Sequence, residues 1–431
     1  MIARIVVLSA VPQSSLTTDE KQGNRMKVVI CGAGIAGLTL ANRLAVLGSD
    51  VVLLERSPGP RTQGYMIDFF GPGYDTAGAM GLLPAVREVA YPIAEASLVD
   101  ERGRRRASVR PTQFSDGPLL DVMRPDLERV LRERLPSTVD LRFDASLVAI
   151  VDDGDGVRVT LEGGAELDAD LVVGADGLHS TVRRLVFGDD SQFLRYLGFH
   201  TAAFTFRDPD IHSAVMGRFC LTDTVNRQMA LYALRGDCVA VFAVHRTADP
   251  ALPDDARAAV REAYGGLGWL VPQALEHCPP AEQMYYDQVA QTMMPTWSKG
   301  RVVLVGDAGY AGYAVSLIAG QGASLGMAGA YVLADQLTRA PSVDQALAGY
   351  ERLWRPVAED KQKVGRSGAR WFLPASLWQL WVRRAVLRAA RLPVIDRIVP
   401  ATLAGKASTL ISDLNRARAW QPAGPQQEGT R

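Results

Sequence analysis

Three glycines and three carboxylates carry the chemistry that can be read from this chain. The segment Gly32-Ala33-Gly34-Ile35-Ala36-Gly37 follows directly on the apolar run Lys27-Val28-Val29-Ile30-Cys31. At that spacing Gly32 permits a tight turn and Gly34 lets a diphosphate approach the backbone. Gly37 lets the following helix pack closely on the strand. The amides that open such a helix present partial positive charge to phosphate. A second apolar run, 51–54, ends in Glu55-Arg56, and a carboxylate there can accept hydrogen bonds from a ribose. Asp176 ends Asp170-Leu171-Val172-Val173-Gly174-Ala175, and Asp307 ends Arg301-Val302-Val303-Leu304-Val305-Gly306. Each acid stands at a strand's carboxyl end, where open α/β sheets bind their ligands. Together these residues point to a dinucleotide, and the first motif alone does not choose between NAD and FAD.

The elements that must hold these residues follow from pattern. Leu38, Leu40, Leu44 and Leu47 continue the first motif as a helix that stops at Gly48. Ser180, Val182 and Arg183 open a helix after the second motif, and Gly320-Gln321-Gly322 leads into one through Leu325, Ala328, Tyr331, Val332 and Leu337. Between the second and third motifs the texture turns to strands, at 199–206, 215–221, 228–234 and 238–245. The last two flank a tight turn at Arg235-Gly236-Asp237. The expected architecture is α/β: a Rossmann-like nucleotide-binding domain (26–95, 121–187 and 296–350), an inserted antiparallel β-sheet substrate domain (96–120 and 188–295), and a C-terminal helical segment and tail (351–431). Residues 1–25 read as a disordered extension. Candidate substrate contacts are Phe204, Phe206, Met216, Phe219, Tyr232 and Phe242, with His200, His212 and Arg218 to orient a phenolate or carboxylate.

Composition narrows the function classes. In 431 residues, 47 Lys and Arg balance 47 Asp and Glu, so no global field draws nucleic acid. The four cysteines form no C-x-x-C pair and the five histidines no metal-ligand spacing. A disulfide framework and a bound metal are therefore not expected, and a reducing, cytoplasmic setting is. No charged residue occurs from Ala308 to Ala334, long enough to cross a bilayer. Its glycines and its strand-turn opening favour a buried loop and helix instead. Within 376–392, Arg384, Arg388 and Arg391 share one helical face, opposite Trp378, Trp381, Ala385 and Leu392. The expectation is that the Trp face packs on the protein; membrane contact by this basic helix is the alternative.

The order of motifs, GxGxxG with Glu55-Arg56, then Gly-Ala-Asp-Gly-x-x-Ser-x-x-Arg, then Gly-Asp-Ala and Gly-Gln-Gly, resembles the single-component (class A) flavoprotein monooxygenases. These have the p-hydroxybenzoate hydroxylase fold, and the tetracycline-inactivating branch looks nearest. The resemblance implies FAD as cofactor and NADPH or NADH as a transient co-substrate. It implies that Glu55 holds the adenosine ribose and that Arg56 and Arg124 contact the FAD phosphates or ribityl chain. Asp176 would be the acid of the second motif. Gly306 and Asp307 would border the ribityl or diphosphate region, and Gly320 and Gly322 would lie beside the isoalloxazine, with Asp68 as an acid near the ring. The implied reaction oxygenates an aromatic or polyketide-like molecule with NAD(P)H and O2 through a flavin hydroperoxide, in secondary metabolism such as antibiotic biosynthesis.

The chain departs from that pattern once. Leu317 stands near a family proline, and the tandem Gly-Tyr-Ala at 309–311 and 312–314 lengthens the third motif. Two alternatives therefore stay open: a non-redox cyclase that keeps FAD as a structural element, and a protein that sequesters a drug. A second GxGxxG for a resident nicotinamide is absent from the sequence.

Overall fold

The computed structural model describes residues 25–110, 117–311, 322–389 and 408–419. Its centre is a six-stranded sheet in the order 298–299, 302–304, 171–174, 27–31, 50–54, 140–142. Strand β1 (Lys27–Cys31) and helix α1 (Ile35–Val46) are joined by the glycine turn, and α1 leads to β2 (Asp50–Leu54). Beyond them are β3 (Met66–Phe70), β4 (Leu119–Met123), β5 (Leu171–Gly174) and β6 (Val302–Leu304). Strands β1, β2, β5 and β6 run parallel. Parallel strands are covered on both faces, which explains why these runs are nearly all apolar. Val28, Val29 and Ile30, Val172 and Val173, and Val303 and Leu304 are buried.

Helix α2 (Gly322–Arg339) is buried along most of its length. It packs between α1 and the long helix α3 (Val343–Phe372). Small residues make the close approach possible. Gly326 and Gly306 both lie against Ala36, and a Cβ on Gly329 would fall 1.8 Å from the Tyr310 hydroxyl. The uncharged stretch is thus a buried helix over its described part, and no helix among the described residues is long and apolar enough to cross a membrane. Helix α3 runs without a break through the expected 350/351 boundary.

The second layer is a seven-stranded sheet in the order 285–292, 194–207, 238–246, 227–233, 218–222, 95–99, 105–109. It is antiparallel except where Arg218–Thr222 runs alongside Glu95–Val99, two strands far apart in the chain that no hairpin joins. The segment expected as a strand at 215–221 divides into a helix, Pro209–Val215, and a strand from Arg218. Asp208 decides this: its carboxylate accepts from the Asp210 and Ile211 amides and caps the helix. The Arg235-Gly236-Asp237 turn joins 227–233 to 238–246, with Gly236 and Asp237 both at positive φ. On one face of the sheet, Phe204, Phe206, Met229, Leu231 and Val241 form a core with the helices that cover it. The opposite face looks toward the antiparallel pair β3 and β4.

Helix α4 (Leu377–Ala389) overturns the expected orientation. Its arginines face inward, with Arg383 Nη2 2.7 Å from Asp223 Oδ1 and Arg384 Nε 2.5 Å from Oδ2. Trp378 and Trp381 face outward and are 68 % and 61 % exposed. A buried carboxylate needs compensating charge more than the indoles need cover, and it therefore sets which face turns in. Arg391 and Leu392 lie outside the described residues. Asp223→Ala should lower unfolding stability by about 3 kcal/mol, because it strands two arginines against the protein. Denaturant titration would measure this, with proteolysis concentrated at residues 373–389.

Candidate active site

The parallel register decides which motif residues meet. Cys31 pairs with Leu54 on one side and Gly174 on the other, and Gly174 pairs with Leu304. The residues that follow, Gly32, Glu55, Ala175 and Val305, therefore emerge level on one rim. Backbone bonds continue the register past the strands: Gly32 N donates to Leu54 O at 2.7 Å, Ala175 N to Cys31 O at 2.8 Å, and Val305 N to Gly174 O at 2.9 Å.

A cleft open to solvent lies on this rim. Of the sequence candidates, Gly32, Gly34, Glu55, Arg56, Arg124 and Asp176 line it. Glu55 is buried, and its carboxylate accepts from the amides of Ala33 (2.9 Å) and Ser57 (3.0 Å). Burial works against the charge, yet these two amides and nearby Arg61 hold the Glu55 carboxyl below its usual range. Glu55 is thus an anionic acceptor fixed at the cleft wall. Arg124 reaches Glu128 at 3.2 Å and stays at the cleft edge. The Gly34 cap of α1 receives no side-chain hydrogen bond, so the opening amides remain for a phosphate. A Cβ on Gly34 would meet nothing nearer than Glu128 Oε1 at 3.8 Å, whereas one on Gly37 would sit 1.9 Å from Gly32 O. Gly34 thus keeps cleft space and Gly37 keeps the turn. The donor set, the clear backbone approach and the fixed Glu55 carboxylate suit the adenosine and diphosphate of a dinucleotide.

Asp176 has a different local task. Its carboxylate accepts from Ser180 Oγ (2.5 Å) and from the amides of Thr181 (2.7 Å) and Val182 (3.1 Å). It thereby shapes the second motif's turn at the cleft. Arg183, fully buried, is the tie that the sequence reading left without a role. It donates to Leu178 O, to Asp190 and, at 2.9 Å, to Ala308 O of the third motif. Its signal was the arginine three residues after Ser180. His179 also lines the cleft and bonds Asp287 of the seven-stranded sheet at 2.9 Å, which raises its pKa; nothing in the sequence paired these two.

The remaining candidates stand behind the cleft and in the third motif. Ile35, Ala36 and Gly37 form the first turn of α1 behind the cleft, with Gly306 at φ +67° against Ala36. Asp307 lies in the turn Gly306–Ala308, whose backbone accepts from Thr292 Oγ1 at 2.6 Å. Gly322 opens α2, and two residues on Ser324 Oγ donates to Phe70 O at 2.9 Å, bringing the start of α2 to the end of β3. Gly320, Leu317 and the second Gly-Tyr-Ala lie outside the described residues.

Asp68 is on β3, directly across from Asp121 on β4. By strand alternation both share a face with Met66 and Met123, which join Phe219, Tyr232 and Phe242 in an apolar cluster. Tyr232 and Phe219 stack at 4.8 Å, Tyr65 lies 5.4 Å from Phe242, and the Tyr232 hydroxyl accepts from the Met66 amide at 3.0 Å. Burial, and for Asp121 the neighbouring carboxylate, push both acids above the usual range.

The other proposed substrate contacts are placed elsewhere. Phe204 and Phe206 point into the core on the far face of the sheet, and Met216 is exposed. His200 bonds Tyr286 at 3.1 Å beside His245, His212 bonds Leu234 O at 2.8 Å, and Arg218 bonds Ala214 O at 2.6 Å. An aromatic in a strand looks the same in sequence whichever face it takes, and only register separates them.

The profile of the FAD binding domain family matches residues 25–363. The chain belongs to this family of flavin-dependent monooxygenases. An uncharacterized protein of Mycobacterium tuberculosis, Rv1260, is 37% identical over 327 residues, 73% of this chain and 85% of that one. A flavin-dependent monooxygenase from an unknown prokaryotic organism is 31% identical over 79% of this chain and 88% of its own. The crystal structure of tetracycline destructase Tet(55) superposes with a TM-score of 0.74 at 27% identity, covering 89% of this chain and 98% of that chain. The cofactor is FAD, and the expected class A fold is the one observed.

Two outcomes test the site. Gly34→Ala should leave the apoprotein's unfolding midpoint unchanged and weaken FAD binding at least about tenfold, read by flavin fluorescence quenching, whereas Gly37→Ala should unfold the turn. For the acid pair, a raised folded-state pKa means that stability falls as pH rises from the ordinary carboxylate range to the folded value. Asp121→Asn removes that loss, so the variant should gain at least about 1.4 kcal/mol over the native chain at pH above that window and nothing at acid pH, by denaturant titration across pH.

Proposed function

We propose that this FAD-dependent monooxygenase oxygenates an electron-rich aromatic or polyketide-like molecule held between β3–β4 and the seven-stranded sheet. The observations that carry this reading are the level rim of four parallel strand ends and the aromatic and methionine face that β3–β4 shares with the seven-stranded sheet. Bound FAD supplies the redox chemistry, drawing on NADPH or NADH that docks transiently and on O2.

The chain's own residues bind, orient and exclude water. Glu55 takes the adenosine ribose, and the α1 amides with Arg56 and Arg124 offset the diphosphate charge. Asp176 and Arg183 hold the second motif's turn against the third, where Gly306, Asp307 and Gly322 would border the ribityl chain and the ring. Phe219, Tyr232 and Phe242 supply an apolar wall that keeps water from the reacting atoms. The Asp68–Asp121 pair, both carboxyls raised above their usual range by burial, offers a carboxyl that accepts from or donates to a substrate hydroxyl. Similarity to a tetracycline destructase makes polycyclic polyketides the first substrates to test. The four cysteines are free, which supports a reducing, cytoplasmic compartment.

Purified protein should show flavin absorption bands, and a phenolic polyketide should stimulate NAD(P)H oxidation coupled to oxygen uptake, with one oxygen atom added to the product. Product formed without NAD(P)H or O2 would instead establish a cyclase. Tight binding without turnover would establish sequestration.

A further inference from the structure

Helix α4 lies on the protein by its polar side. Arg383 and Arg384 clasp Asp223, Arg388 Nε donates to Arg106 O at 3.1 Å, and Leu380 is buried. The stripe left outside is Leu377, Trp378, Trp381 and Ala385, with Leu377 76 % exposed. The two indoles stack on each other at 5.7 Å with planes 19° apart. With Leu377 they present on the order of 400 Å² of apolar surface, as much as the largest patch of an ordinary soluble monomer.

Charge beside the stripe narrows what covers it. Helix α4 carries three arginines and no acid, and the strand it packs on, Arg105–Val109, lies in the run Arg102-Gly103-Arg104-Arg105-Arg106-Ala107-Ser108-Val109-Arg110. Asp100 pairs with Arg104 and Arg106, Glu95 with Arg105, and Asp223 with Arg383 and Arg384, and the exposed Arg102 stands in the same run. A second copy docking the same face about a two-fold axis would set arginine rim against arginine rim. A surface that is apolar at one depth and anionic at its edge fits both features. Tryptophan favours that depth, and arginine the headgroups above it.

We propose that the Trp378–Trp381 face of α4, with the arginine edge beside it, seats the protein on an anionic lipid surface. The contact is interfacial rather than spanning, and Asp223 serves it by turning the indoles outward.

The test is co-sedimentation of the full-length holoprotein with vesicles of phosphatidylcholine, alone or mixed with phosphatidylglycerol. The native chain should bind the mixed vesicles, with a blue shift in tryptophan emission, and release as salt rises to about 0.5 M. Trp378→Gln/Trp381→Gln should reduce the partition coefficient by at least about tenfold while flavin content stays the same. The proposal is overturned by absence of binding, by equal binding to both vesicle types, or by equal binding of the double variant. A dimer in sedimentation velocity that only the native chain forms would assign the face to a second copy, and likewise overturn it.

Discussion

The structure depends on one constraint, the parallel in-register pairing of β5, β1 and β2 with β6 alongside. Because Cys31, Leu54, Gly174 and Leu304 stand level, motifs separated by more than a hundred residues leave the sheet at the same height. Each strand end must still find partners for its backbone. Helix α1 leaves the Gly34 cap without a side-chain acceptor, while the helix after Ser180 is capped by Ser180 and Asp176. The contrast separates amides available to a ligand from amides spent on the fold, although both follow similar strand-turn-helix sequences.

Close packing holds this rim to the rest of the molecule. Ala36, Gly306 and Gly326 meet where a larger side chain would push α2 from α1. Arg183 adds a polar tie, satisfying the carbonyls of Leu178 and Ala308 together with Asp190 inside the protein. Burying a guanidinium is costly unless its donors are used, and here they are. The same economy governs Asp223, where one buried carboxylate outweighs two indoles in choosing the inner face of α4.

Between the strand-end rim and the seven-stranded sheet the chemistry changes character. The cleft at Glu55 carries charged side chains and is open, whereas the face carrying Phe219, Tyr232 and Phe242 is apolar and packs against Met66 and Met123. Two carboxyls opposite each other on β3 and β4 stand at that apolar face. The Tyr232 hydroxyl bonded to the Met66 amide and His179 bonded to Asp287 tie the two layers across the boundary.

The sequence by itself determined the cofactor end. GxGxxG, Glu55 and the two later acids are local patterns, each defined by a strand and the turn after it, and short-range sterics suffice to specify them. Tertiary structure decided whatever depends on which residues face each other. Asp121 became a partner of Asp68 only through the β3–β4 register, and Asp287 reached His179 only across the two sheets. Phe204 and Phe206 went to the far side of the sheet while Phe219 and Tyr232 turned to the near one, because alternation assigns faces only after strand pairing sets the register. The arginine side of α4 turned inward because Asp223, some 160 residues earlier, was buried and uncompensated without it. A helical wheel shows two faces, but the partner that chooses between them lies elsewhere in the chain.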